Sequence, residues 1–378
     1  MKLLKTEEYQ RYSRHLNLPD FTIEDQLLLK RAKVLVVGAG GLGSPLLLYL
    51  AAAGVGTLGI IDGDTVDESN LQRQILYDTG DIDTLKATRS KSKLLKLNPH
   101  IHINSYDYRL TTNNALSIIS EYDIIADGTD NFPTRYLVND ACVISHKVNV
   151  YASIYRYEGQ VSVFNHKMPD GTRSANYRDL YPISPPPGMI PDCATGGVLG
   201  VLAGIIGTMQ ANEVIKIIIK KGKPLYNRLI IYDALEPSLD VIHYKNRNET
   251  NISKLIDYEH FCGLSDINSV TKSEMKEITA QELKKWKDEE KDFQLVDVRE
   301  SHEFDFTNIG GELIPLGNIM SSLDQIADNK PTVLMCRSGQ RSAAALDALQ
   351  KAGCEELYNL KGGILAWARD VDPSIPQY

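Results

Sequence analysis

Residues 33–62, KVLVVGAGGLGSPLLLYLAAAGVGTLGIID, leave few folds open. The runs KVLVVG and TLGIID are short, apolar and without a polar face, so each reads as a strand buried on both sides. Between them lie a glycine-rich turn and an apolar stretch long enough for a helix. A strand, a crossover helix and a second strand make a parallel pair with a right-handed connection. The runs YDIIADG and VNVYASI repeat the alternation, and GQVSVF and RLIIYDA read as later strands closing the same sheet. The expectation is a doubly wound, mainly parallel α/β domain.

That pattern stops near residue 245 of a 378-residue chain. Residues 246–275 are polar with weak periodicity and read as a linker. A second block, 276–378, opens at KEITAQELKKW, where Thr279 and Glu282 fit a capping box. It continues with FQLVDV, TVLM, the helical GQRSAAALDALQKAG and ELYNL, a second, smaller α/β domain. A net charge of −8 argues against a nucleic-acid footprint and against a polybasic membrane anchor. The most apolar segment, GGVLGVLAGIIGTMQANEVIKIIIKK, is broken by Gln210, Asn212 and Glu213 and reads as a buried glycine-rich helix, with a membrane span as the alternative. The N-terminus has no signal-peptide pattern, and the five cysteines form no C-x-x-C pair. Both features suit a reducing cytoplasm.

Gly38, Gly40 and Gly43 form G-x-G-x-x-G between a strand and a helix, with Gly41 inside the turn. Such glycines let backbone approach phosphate, and the following helix N-terminus favours negative charge. Asp62 ends the second strand, where an acid bonds a ribose hydroxyl. Alone, this motif serves NAD and FAD as readily as ATP. Asn70, Arg73 and Gln74 follow, with Lys86 and Asp130 further on. Cations near a ribose acid suit a triphosphate whose phosphate–phosphate bond breaks, and Asp130 could ligate magnesium. The same three charged residues read equally well as solvent-exposed side chains.

The segment GAGGLGSPLLLYLAAAGVGTLGIIDGDTVDESNLQRQILY resembles the MoeB/ThiF family of ubiquitin-activating-type adenylyltransferases, over residues 1 to about 245. The resemblance implies that Asp62 binds ribose, that Asn70, Arg73 and Lys86 contact phosphates, and that Asp130 binds Mg2+. Arg14, in RYSRH, resembles an arginine lent to the partner's ATP site, which implies a homodimer. The implied substrate is the C-terminal glycine carboxylate of a small ubiquitin-fold protein.

Five prolines (182, 185, 186, 187 and 191) precede Cys193 and impose an extended segment. Cys193 reads as the start of a helix, which lowers a thiol pKa, or as a small buried cysteine. The resemblance implies an exposed thiol near the adenylate. Many family members also bind zinc through two C-x-x-C pairs. Here Asn176 and Asp179 occupy the first position, and the stretch HYKNRNETN, expected to hold the second, has no cysteine. No zinc site is expected.

Cys336 follows the strand TVLM and precedes a helix. The loop Arg337, Ser338, Gly339, Gln340, Arg341, Ser342 can turn several N–H groups toward one sulfur, and its two arginines favour thiolate. Its C-x4-R spacing is shorter than the C-x5-R of phosphatases and suits a single sulfur atom. With LVDVRESHEF, NIGGELIPLG and NLKGGILAWA, residues 276–378 resemble rhodanese-like sulfurtransferases. The resemblance implies a persulfide on Cys336, while Asp297 and Arg299 read as a structural salt bridge.

Together these readings predict an enzyme that adenylylates a sulfur-carrier protein ending in Gly-Gly. It then passes sulfur from a Cys336 persulfide, with Cys193 as releasing thiol and an upstream persulfide or thiosulfate as donor. Molybdopterin, thiamine and tRNA-thiolation pathways all use such carriers. The rivals are a non-catalytic scaffold for a ubiquitin-fold partner and an NAD(P)-dependent oxidoreductase.

Overall fold

The structure is a computed structural model that describes residues 4–185, 197–236, 238–247, 251–263 and 275–376. The chain divides into two compact units, Met1–Gly263 and Leu264–Tyr378.

Unit 1 opens with three helices, α1 (Thr6–Arg11), α2 (Ser13–Leu16) and α3 (Ile23–Arg31). Thr22 begins α3 with a capping box, its hydroxyl accepting from the Asp25 amide while the Asp25 carboxylate accepts from the Thr22 amide. The strand–helix–strand sequence then folds as β1 (Lys33–Val37), α4 (Gly43–Ala53) and β2 (Thr57–Ile61). Next come α5 (Lys86–Leu97), β3 (His102–Tyr106), α6 (Ala115–Ser120), β4 (Ile124–Asp127), α7 (Phe132–Ile144) and β5 (Val148–Tyr155). The unit continues through β6 (Glu158–Phe164), α8 (Tyr177–Leu180), α9 (Gly200–Ile219), β7 (Arg228–Asp233), β8 (Ser238–His243) and α10 (Tyr258–Phe261).

The sheet order is β3-β2-β1-β4-β5-β6-β7-β8. The β3-to-β5 half is parallel, as the alternation of strands and helices predicts. GQVSVF and RLIIYDA do join this sheet, but β6, β7 and β8 pair antiparallel. The reason is connection length. The β5–β6 turn has room for Arg156 and Tyr157 and no crossover helix, so the chain must reverse.

Helix α9 is the apolar segment of the sequence and is long enough to cross a membrane. Here it is a core helix. A Cβ at Gly207 would lie 2.5 Å from the Leu42 carbonyl, and one at Gly159 would lie 2.2 Å from Ile206. The glycines therefore permit close approach of α9 to α4 and to the sheet.

Unit 2 builds a parallel sheet in the order β11-β10-β12-β13-β9. The strands are β9 (Glu277–Ile278), β10 (Gln294–Asp297), β11 (Glu312–Leu313), β12 (Thr332–Met335) and β13 (Leu357–Leu360). Its helices are α11 (Ala280–Asp288), α12 (Ser301–Phe306), α13 (Gln340–Lys351) and α14 (Gly363–Asp370). Thr279 and Glu282 form the capping box at α11. The linker expected over 246–275 is narrower than its composition suggests. Tyr258–Phe261 is a helix of unit 1 whose buried Tyr258 donates to Asp140 on α7 at 2.9 Å.

Candidate active site

The turn between β1 and α4 is built from backbone. Gly38 has φ +91°, and a Cβ there would meet the Gly128 carbonyl at 3.0 Å. A Cβ on Gly43 would fall 2.1 Å from the Gly38 carbonyl. Gly40 faces the Gln74 side-chain amide, and Gly41 lies against the aliphatic stem of Arg73. The turn thus lies beside Arg73 and Gln74.

Asp62 closes the same mouth. Its carboxylate accepts from the Ala39 amide at 2.8 Å and the Asp64 amide at 2.9 Å. Burial pushes this carboxyl above its ordinary range, against the Lys86 charge and the two amides. Lys86 is buried, with Nζ 4.0 Å from Asp64 Oδ2. Tyr77, unremarked in the sequence, ties these parts together. Its hydroxyl lies 2.9 Å from the Ala39 carbonyl, 2.9 Å from Ser90 Oγ and 3.3 Å from the Lys86 carbonyl. Arg73 donates to the Ser69 carbonyl at 3.1 Å, next to Asn70. Asp130 is exposed on the β4–α7 loop and makes no hydrogen bond or ion pair with another described residue. Arg14, exposed on α2, likewise makes none with another described residue.

Cys193 lies outside the described residues. The two segments of the expected zinc pattern are joined by protein groups. The Asp179 carboxylate accepts from the Asn176 amide at 2.8 Å and from the Arg247 amide at 3.0 Å. Nearby, Arg178 pairs with Asp140 through two bonds of 2.8 Å and lies over the rings of Phe261 and Tyr136.

In unit 2, Cys336 stands just past β12 with 1% of its surface exposed. Its sulfur accepts from the Gly339 amide at 3.1 Å and the Ser342 hydroxyl at 3.3 Å. Ser338 and Gln340 are exposed on this turn, and Gln340 starts α13. Arg341 does not point its fork at the sulfur. It forms a two-bond pair with Glu303, at 2.6 and 2.7 Å. Its charge is met by a carboxylate, so the loop is less cationic than its two arginines suggest. Asp297 and Arg299 form a fully buried pair, the structural role expected of them. Sequence reasoning missed the brace behind the loop. The Ile364 amide donates to the Cys336 carbonyl at 2.9 Å, and a Cβ on Gly363 would lie 2.3 Å from that oxygen. The signal was the GG of NLKGGILAWA, where the second glycine has φ +60°.

Fold and clefts together define a class. One unit holds a glycine turn rimmed by an acid and two cations, and the other presents a cysteine whose sulfur is a hydrogen-bond acceptor. Residues 12–253 match the ThiF family and residues 279–370 match the rhodanese-like domain. The chain is 47% identical to the probable adenylyltransferase/sulfurtransferase MoeZ of Mycobacterium tuberculosis, over 99% of this chain and 96% of that protein. It is 37% identical to adenylyltransferase and sulfurtransferase MOCS3-1 of Zea mays, over 99% of this chain and 84% of that one. It is also 47% identical to a sulfur carrier protein adenylyltransferase of Thermus thermophilus, over 68% of this chain and 98% of that protein. A crystal structure of E. coli MccB with MccA-N7isoASN shares the fold, at 22% identity and a TM-score of 0.58 over 66% of this chain and 75% of that one. The chain belongs to the ThiF family and carries a C-terminal rhodanese-like domain. It is an adenylyltransferase and sulfurtransferase, and it uses ATP.

Proposed function

We propose that the chain adenylylates the C-terminal Gly-Gly carboxylate of a ubiquitin-like sulfur-carrier protein and converts it to a thiocarboxylate. One observation carries this reading: a polyphosphate-suited cleft and a cysteine hydrogen-bonded at sulfur occur in a single chain. The resemblance to a sulfur carrier protein adenylyltransferase supports the carrier as substrate.

In the first step a carboxylate oxygen of the carrier attacks the α-phosphorus of ATP. The bond to the bridging oxygen breaks, and pyrophosphate leaves with its electron pair. Arg73 and Lys86 offset the charge that develops on the phosphates, while Asp62 holds the ribose and the glycine turn, with Asn70 and Gln74, seats the phosphates. Mg2+ bound to a nucleotide takes most of its ligands from phosphate and water and needs one or two carboxylates. The exposed, unpaired Asp130 fits that demand, although the described residues contain no cluster of three or more metal-ligating side chains. When bound, the cation would neutralise the departing pyrophosphate.

In the second step a Cys336 persulfide attacks the acyl carbon, and AMP leaves. Gly339 N–H and Ser342 O–H fix the Cys336 sulfur to which the attacking outer sulfur is bonded. The carrier is then joined through an acyl disulfide. Attack by the Cys193 thiolate on the Cys336 sulfur breaks the S–S bond. The carrier departs as thiocarboxylate, leaving a Cys193–Cys336 disulfide for an external thiol to reduce. The exposed, unpartnered Arg14 supports a homodimer in which each protomer completes the other's cleft.

The test follows the carrier by intact mass, with ATP, Mg2+ and a persulfide donor. A carrier that gains sulfur in place of oxygen supports the reading, and an unchanged carrier mass opposes it. Cys336→Ala should keep ATP–pyrophosphate exchange and abolish thiocarboxylate, while Asp130→Ala should abolish the exchange.

A further inference from the structure

The loop that presents Asp130 is held from beneath by two buried ionisable residues, Asp127 and Arg135, to which the sequence assigned no role. Asp127, at the end of β4, is fully buried. Its Oδ1 accepts from the Thr129 amide at 3.0 Å and the Thr129 hydroxyl at 2.6 Å. Arg135, 7% exposed on α7, donates from Nη2 to the Thr129 carbonyl at 3.0 Å and to Ser153 Oγ at 3.2 Å. Its guanidinium lies over Tyr151 and Phe132, 5.2 and 5.6 Å from the ring centroids. Every polar group of Thr129 is therefore engaged. On the other side of Asp130, Asn131 caps α7 by accepting from the Thr134 amide at 3.0 Å. The Gly128 amide donates to the Val37 carbonyl at 2.9 Å, which locks the loop to the glycine turn.

This bracing is energetically expensive. Asp127 Oδ2 and Arg135 Nε are buried without a hydrogen-bond partner among the described residues. A loop needing closure alone could use groups that bond completely, since burying incompletely bonded polar atoms opposes folding. What Asp127 and Arg135 secure is the location of Asp130, an exposed acid with both neighbours fixed. We propose that Asp127 and Arg135 are positioning residues that hold the Asp130 carboxylate at the glycine turn, where it meets a nucleotide-bound divalent cation. The proposal rests on the assignment of Asp130 made under the proposed function.

The experiment measures Mn2+ binding to the full chain by electron paramagnetic resonance, with and without ATP, alongside the Mg2+ dependence of ATP–pyrophosphate exchange. Asp127→Asn should weaken ATP-dependent Mn2+ binding and raise the Mg2+ needed for half-maximal exchange by roughly tenfold or more, the scale expected for a displaced catalytic group. Binding of ATP in a chelator should be unchanged. Thr129→Val, which deletes one bond of the brace and no charge, should shift both readings the same way by less, and Thr129→Ser should restore them. A folded Asp127→Asn protein with wild-type Mn2+ binding overturns the proposal. If that variant does not fold, Thr129→Val decides, and unaltered metal dependence overturns it. Absence of any ATP-dependent Mn2+ signal in the wild type overturns the assignment of Asp130 itself, and the proposal with it.

Discussion

At the residue scale, the sulfur loop turns on which groups its arginines serve. Arg337 and Arg341 both read as thiolate stabilisers in sequence, because cations near a cysteine lower its pKa. In the fold the Arg341 fork is taken by Glu303, and the sulfur relies on the Gly339 amide and the Ser342 hydroxyl. Burial pushes the Glu303 carboxyl up, but Arg341 and the Glu300 amide outweigh it and hold it below its ordinary value. A depressed carboxyl stabilises the fold above its unfolded pKa and loses that contribution as pH falls through the folded one. Glu303→Gln should therefore cost unit 2 roughly 1–3 kcal/mol at neutral pH. The difference from wild type should shrink below about pH 4, where glutamate protonates. Both tryptophans, Trp286 and Trp367, lie in unit 2, so their fluorescence during denaturation reads this directly.

At the scale of elements, α7, α8 and α10 are held by a polar and aromatic clasp around the positions that carry zinc-binding cysteines in the resembling family. Asn176 and Asp179 were legible as departures from a cysteine pattern. Their replacement was not, because it draws on Asp140, Arg247 and Tyr258, which lie far off in sequence. Tyr258 fell within a stretch read as linker, since a helix of four residues leaves no periodicity to detect. Arg178→Met should strand the Asp140 carboxylate, 2% exposed, and cost roughly 3–5 kcal/mol. Adding Asp140→Leu should recover part of that loss, because the pair is removed together. Far-UV circular dichroism during guanidinium unfolding of the two single variants and the double variant measures the coupling. Equal, additive losses would show that the pair does not act as a unit.

At the scale of the whole molecule, two units carry two chemistries, and a core helix apolar enough to suit a membrane is absorbed by a sheet. The unattached Arg14 makes one assembly prediction. Arg14→Ala and Arg73→Ala proteins should each lack ATP–pyrophosphate exchange. Co-expressed, they should regain part of it, because a mixed dimer rebuilds one intact cleft. Exchange no higher than in either variant alone would sink the shared-site reading.

What the sequence by itself determined is local. Strand and helix periodicity, the glycine turn, the capping box at Thr279 and the spacing around Cys336 depend on neighbours along the chain, so they can be read in order. Tertiary structure alone decided the pairings between distant residues. It made the pairings of the last three strands antiparallel, gave Arg341 to Glu303, joined Asp179 to Arg247 and set Asp127 and Arg135 beneath the Asp130 loop. A buried charge is satisfied by whichever group the fold brings within hydrogen-bond reach, and residue type does not name that partner in advance.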